Sequence, residues 1–177
     1  SAAVNAGLPI GQFGKLSGSA RLSWSDYGRS DDTAPEFVVP TDHTTTTLGL
    51  GLQFARSGYR LNLRGAWSER AEWKLWGLPD NPGFDPAHRD YATWEVSASK
   101  SWYLSGFRKI GLELNWSDGE DLDRFSKFQF GFFGGNRVHG YQIGRVRAEE
   151  AAAAHLTWGF EIGNLLRLEA VGDVAWA

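Results

Sequence analysis

The sequence predicts an all-β chain, an antiparallel transmembrane β-barrel built as a meander of about eight strands. Three observations predict it. Long segments place an apolar side chain at every second residue with Ser, Gly, Asn, Arg or Glu between, the period of a pleated strand with two unlike faces. Aromatic residues are abundant, with 9 Trp, 11 Phe and 5 Tyr among 177 residues, and many lie near the ends of those segments. Short and long connections alternate along the chain, as in barrels with tight turns on one rim and longer loops on the other.

The first segment, Ala2 to Ile10, turns Val4, Ala6, Leu8 and Ile10 to one face. Lys15 to Tyr27 sets Leu16, Ala20, Leu22 and Trp24 opposite Ser17, Ser19, Arg21 and Ser23. Thr45 to Ala55 sets Leu48, Leu50, Leu52 and Phe54 against Gly49, Gly51 and Gln53. The next sets Tyr59, Leu61, Leu63 and Trp67 against Arg60, Asn62 and Arg64, and Ser57-Gly58 between the two predicts a tight hairpin. Tyr91 to Leu104 places Trp94, Val96 and Ala98 opposite Glu95, Ser97 and Ser99. Lys109 to Ser117 places Ile110, Leu112, Leu114 and Trp116 opposite Gly111, Glu113 and Asn115, after the short link Gly106-Phe107-Arg108. The last pair, Ala152 to Ile162 and Leu165 to Trp176, aligns Leu156, Trp158 and Phe160 with Leu166, Leu168, Val174 and Trp176 across a Gly163-Asn164 turn.

Short turns thus fall near Gln12 to Gly14, Ser57, Gly106 and Gly163, and long connections at Gly28 to His43, Gly77 to Asp90 and after Asp118. Phe128 to Phe133 has strand propensity of its own, but a full strand there would put the polar stretch up to Glu150 on the short-turn side. Residues 118–150 are therefore expected to be one extracellular excursion folding toward the barrel interior, compatible with a short hairpin inside it. The whole of 1–177 reads as one barrel portion.

Composition excludes several classes. A net charge of −3 and a pI near 5.8, with Lys and Arg scattered singly, leave no footprint for a nucleic-acid partner. No run of about 18 apolar residues exists, so no transmembrane helix is predicted, whereas a barrel strand needs only about 9 to 11 alternating residues. Zero Cys excludes disulfides and thiolate metal sites. No Gly-x-Ser-x-Gly elbow, Walker loop or His-Glu-x-x-His helix occurs, and the 4 His are far apart in sequence, so a non-enzymatic protein without cofactor, metal or catalytic residues is expected. His88-Arg89-Asp90 copies a kinase tripeptide without kinase surroundings. Asp118, Glu120, Asp121 and Asp123 lack the spacing and Gly of an EF-hand and read as a solvated loop.

A soluble sheet covered on one face has the same period of two, and in a soluble lipocalin-like barrel the apolar set turns inward. Uninterrupted strands, aromatic residues near strand ends and a polar set rich in Ser, Gly and Arg predict the opposite, with the apolar set facing outer-membrane lipid. That leaves Arg21, Arg60, Arg64, Glu95, Glu113, His155, Glu161, Arg167, Glu169 and Asp173 facing the interior, mixed in sign as an ion-paired lumen would be. Lys100 breaks the outward set, but near the short-turn rim its ammonium can reach headgroups.

The Phe-rich approach, Gly134-Gly135 and Val138-His139-Gly140-Tyr141 resemble the sixth extracellular loop of the BamA/TamA outer-membrane assembly superfamily, which includes two-partner secretion transporters. The resemblance continues through Gly159-Phe160-Glu161 and Val171-Gly172-Asp173-Val174 and covers about the C-terminal third. It implies a bacterial outer-membrane location, a sixteen-stranded barrel of which these strands are a middle-to-late portion, and a role in inserting unfolded barrel clients or exporting a polypeptide. It also implies that the loop folds back so that a basic residue of a Val-Arg-Gly-Phe/Tyr motif meets Glu161 and Asp173. Here His139 stands where that Arg is usual. Arg offers a permanent charge and a planar fork, whereas imidazole titrates near neutrality, so a weaker, pH-sensitive lock is expected. Arg137, Arg145 and Arg147 are candidate substitutes.

No POTRA-like domain precedes the strands, and Ala177 is not the terminal aromatic residue usual in barrel insertion signals, so an excerpt of a longer protein is expected. The alternative is a small closed eight-stranded outer-membrane barrel with a structural or adhesion role, its contact surface formed by Gly28 to His43 and Gly77 to Asp90.

Overall fold

The structure, a computed structural model, describes residues 1–105, 108–131, 136–140, 142, 145–162 and 166–177, apart from the side chains of Phe84, Glu161, Ile162 and Arg167. Its strands are β1 (Ala2–Ile10), β2 (Gly14–Ser25), β3 (His43–Arg56), β4 (Tyr59–Arg70), β5 (Trp76–Leu78), β6 (Asn81–Phe84), β7 (Asp90–Leu104), β8 (Arg108–Glu120), β9 (Phe128–Gln129), β10 (Arg147–Ala148), β11 (Glu150–Ile162) and β12 (Leu166–Trp176). Eight of them form one sheet in the order β1-β2-β3-β4-β7-β8-β11-β12, every neighbouring pair antiparallel. The four shorter strands make two separate hairpins inside the long connections.

The eight long strands coincide with the eight alternating segments, because a period of two is stable only where the two faces of a strand meet different surroundings. Register keeps the faces pure: Leu16 pairs with Leu8 and Leu52, Leu63 with Leu52 and Val96, and Leu112 with Leu156. The hairpin at Ser57-Gly58 has positive φ at both residues, 49° and 79°, the geometry that matches the strand twist. Gly58 is needed there twice over, since an added Cβ would lie 2.7 Å from the backbone oxygen of Ser101. β12 is described from Leu166, and register pairs Phe160 with Leu168 and Trp158 with Ala170, apolar against apolar. Residues Gly163 and Asn164, and Gly106 and Phe107 of the earlier short link, lie outside the described residues.

Among the described residues β1 pairs only with β2, and β12 only with β11. The sheet is open, so the closed eight-stranded arrangement weighed from the sequence is not the one found. Its reason is visible on the polar face, where part of the 121–149 connection lies against β8, β11 and β12. An eight-stranded barrel has an interior just wide enough for its own side chains and could not hold that backbone as well.

Among the described residues no segment covers the apolar face. Val4, Leu50, Leu114, Leu156 and Val174 are 74%, 69%, 47%, 53% and 63% exposed. The buried aromatic cluster lies elsewhere, at the long-loop end, where three connections meet over Trp73 and Trp76 with Tyr27 and Phe37 against them. Phe125 joins this cap at 5.2 Å from Tyr27 and 4.9 Å from Trp76, and the His43 ring lies 4.1 Å from Trp73. Burial pushes the Tyr27 phenol above its ordinary pKa.

Candidate functional site

The polar face is organised by a row of three side chains on adjacent strands. Register sets Glu113 of β8 opposite His155 of β11, and His155 opposite Asp173 of β12. Beside His155 on the same face, Ala151 and Ala153 are each 1% exposed. Their short side chains let a loop backbone lie close to β11.

That backbone is residues 136–139. It runs next to Gly131, with Val138 N donating to the Gly131 oxygen at 2.7 Å, and the small β9–β10 hairpin carries it. An extended chain sends residues i and i+2 to the same side, so Arg137 and His139 both face the sheet. The spacing then matches the row. Arg137 grips Glu113 with both guanidinium branches, Nη1 to Oε1 at 3.1 Å and Nη2 to Oε2 at 2.9 Å. His139 reaches Asp173 two strands away through its backbone N–H at 2.9 Å and through ring Nδ1. Gly140, with φ of 84°, ends the extended stretch.

Between these two anchors His155 is 1% exposed and meets the other Asp173 oxygen through Nδ1 at 2.8 Å. An ionised carboxylate can only accept, so each imidazole must present an Nδ1–H to it. Asn115 donates to Glu113 at 3.0 Å, and Asn136 donates to Ser117 at 3.4 Å. The result is a continuous polar clasp, Arg137–Glu113 on one side and His139–Asp173–His155 on the other. Glu113 holds the Arg137 guanidinium even more firmly protonated than usual, chiefly by the hydrogen bonds between them.

A second contact ties the same excursion to the sheet. Arg70 at the end of β4 pairs with Asp123 at 3.1 Å, their side chains 4% and 1% exposed. The guanidinium lies over Trp73 and Tyr91, 5.2 Å and 4.3 Å from the ring centroids. Asp123 Oδ1 also accepts from Phe125 N, Ser126 N and Ser126 Oγ. The acidic run was expected to be solvated; Asp123 is instead buried, because the loop folds onto a strand end that offers Arg70.

Of the residues singled out in the sequence, Val138, His139, Gly140 and Asp173 are brought together. Gly134, Gly135 and Tyr141 lie outside the described residues. Glu161 and Arg167 are register partners on β11 and β12, and their side chains also lie outside the described residues. Arg21, Arg60 and Arg64 are exposed on the polar face outside the clasp, and Arg64, opposite Glu95, lines one cavity with Glu113 and Asn136. Sequence reasoning placed Glu113 inside but gave it no partner, and missed Asn136, Arg70 and Asp123 as anchors. The i, i+2 spacing of Arg137 and His139 was the available signal for Glu113.

No family model, curated protein or solved structure matches the chain.

Proposed function

We propose that the sheet is part of the wall of a sixteen-stranded β-barrel in a bacterial outer membrane, in a BamA/TamA-like machine that inserts other barrels or exports a polypeptide. The observation that carries this reading is the inversion of the sheet. Its exposed face is apolar, and its polar face is the one that a loop covers. In water such an exposed face would be far larger than the patches that monomeric soluble proteins tolerate. In a bilayer it is the expected surface, because lipid replaces water outside and the polar face turns to a wet lumen.

The apolar face is also uncharged across its middle. On β8 its residues between Arg108 and Asp118 are Ile110, Leu112, Leu114 and Trp116; on β4 they run from Tyr59 to Trp67 before Glu69. A charge in that band would cost roughly 2 to 4 kcal/mol at the bilayer midplane. The two unpaired edges, β1 and β12, suit a larger barrel whose remaining strands close on them. What favours a machine over a passive pore is the clasp. It joins the Val-His-Gly element to the acidic position of β12 that the family resemblance implies, and it would brace the wall next to an opening seam. No covalent chemistry is needed.

The test is genetic replacement by Asp173→Ala followed by quantification of other outer-membrane barrels and of secreted polypeptides. Loss of several barrels supports insertion, and loss of one exported polypeptide supports export. Unchanged levels of both, with the variant at normal abundance in the membrane, would overturn the machine reading.

A further inference from the structure

The two ends of the apolar face carry opposite charge. At the short-turn end its charged residues are Arg56 on β3, Lys100 on β7 and Arg108 on β8. At the long-loop end they are Glu69, Asp90, Asp118, Glu120 and Glu150, which register places on the same face as Trp67, Trp94 and Trp116. Among the described residues the strands carry no charge of the other sign at either end of this face, and at the acidic end Arg89 of the preceding loop reaches Glu69 at 3.8 Å.

The cations at the short-turn end are also held in place. Lys100 Nζ donates to the Ser57 oxygen at 2.9 Å and lies 3.4 Å from the centre of the Tyr59 ring. Arg56 sits 5.0 Å over the Phe13 ring, and Phe13 packs edge-on against Phe54 at 6.3 Å. Arg108 Nε donates to the Ser105 oxygen at 3.1 Å. Each cation thus stands at a turn, and Arg56 and Lys100 also lie beside half-exposed aromatic rings of the kind that sit at headgroup depth. At the opposite end Trp116 Nε1 donates to Glu150 at 3.1 Å, so the aromatic rim there is bound to an acid.

We propose that the short-turn rim of the apolar face is a docking collar for anionic glycerophospholipid headgroups, formed by Arg56, Lys100 and Arg108 with Phe13 and Tyr59. This rests on the membrane reading above. Headgroup phosphates meet the three cations, acyl chains lie along Leu61, Leu112 and Leu114, and the acidic opposite rim repels the same headgroups. Charge complementarity selects the occupant. The three cations, with no acid paired to them among the described residues, fit a negative surface and leave a zwitterionic one without gain. The polarity also orients the sheet, since only one rim is attracted to an anionic leaflet.

The test follows insertion of the urea-unfolded full-length protein, with the strands that close on β1 and β12, into vesicles of phosphatidylcholine, alone or mixed with phosphatidylglycerol at about three to one. The expected result is insertion about tenfold faster into the anionic vesicles at low salt, with the advantage lost near 0.5 M salt, where screening is nearly complete at about 4 Å. Arg56→Gln/Lys100→Gln/Arg108→Gln should insert into phosphatidylcholine like the wild type and show no preference. Lys74→Gln/Arg89→Gln/Arg124→Gln, matched in net charge but at the loop end, should keep the preference. Equal wild-type rates in the two vesicles overturn the collar, as does a preference that survives the rim variant or is lost equally in the loop variant. Failure to insert into either vesicle overturns the collar together with the membrane reading.

Discussion

Asp173 accepts from His139 twice, through the backbone N–H at 2.9 Å and through ring Nδ1, while its other oxygen takes Nδ1 of His155 at 2.8 Å. One of the two bonds to the loop is therefore independent of the side chain at position 139. This accounts for a His where the resembled motif carries Arg: the main chain secures the loop to β12, and Arg137 supplies the permanent charge on Glu113.

The two partners consequently differ in how much their removal costs. His139→Ala removes the ring bond to Asp173 and keeps the backbone one, whereas Asp173→Ala removes both of these and the bond to the buried His155. Limited proteolysis within 121–149 should accelerate modestly for His139→Ala and several-fold more for Asp173→Ala. Equal acceleration would show that the backbone bond contributes nothing.

The Arg137–Glu113 fork predicts a measurable coupling. A double-mutant cycle with Arg137→Ala and Glu113→Gln should give an interaction energy of about 1 kcal/mol, within the range for groups in one polar network and reduced by partial exposure. Additive effects of the two substitutions would remove the fork from the clasp.

The cap over Trp73 and Trp76 depends on a buried ion pair, so breaking it from one side should cost about 3 to 5 kcal/mol. Asp123→Ala is expected to expose the cap tryptophans, read as lost near-ultraviolet dichroism and increased quenching by iodide, while strand content persists. A cap signal unchanged in Asp123→Ala would mean that the aromatic rings alone hold the three connections together.

At the β3–β4 hairpin, Gly58→Ala should destabilise by about 1 kcal/mol or more, because φ is 79° and the new Cβ meets the Ser101 backbone. Gly18→Ala on β2, with nothing near its Cβ, is the control and should be close to neutral or stabilising. Chemical denaturation of the two variants compares them directly.

The eight long strands were legible because Leu48-Gly49-Leu50-Gly51-Leu52 and its counterparts state both the period and the face. The hairpins of β5–β6 and β9–β10 were not, since stretches as short as Phe128–Gln129 carry no periodicity. His139 and Asp173 were legible as a pair through a resemblance, and Glu113 only as a member of the polar face. Arg70 and Asp123 are 53 residues apart and join only because two connections fold over one strand end, which local pattern does not encode. The open sheet was legible only through the resemblance, which implied a portion of a larger barrel, because eight alternating strands by themselves suit a closed barrel and an open sheet alike.

The central claim is that the apolar face meets lipid. The chain has no Cys, so single Leu50→Cys, Leu114→Cys and Ser97→Cys variants accept one nitroxide label each without further changes. In vesicles, Leu50→Cys and Leu114→Cys should be relaxed by oxygen, which concentrates in lipid, and shielded from a water-soluble nickel chelate, while Ser97→Cys on the polar face should show the reverse. Nickel accessibility at Leu50→Cys and Leu114→Cys, with Ser97→Cys shielded from both, would contradict it and place the apolar face in water.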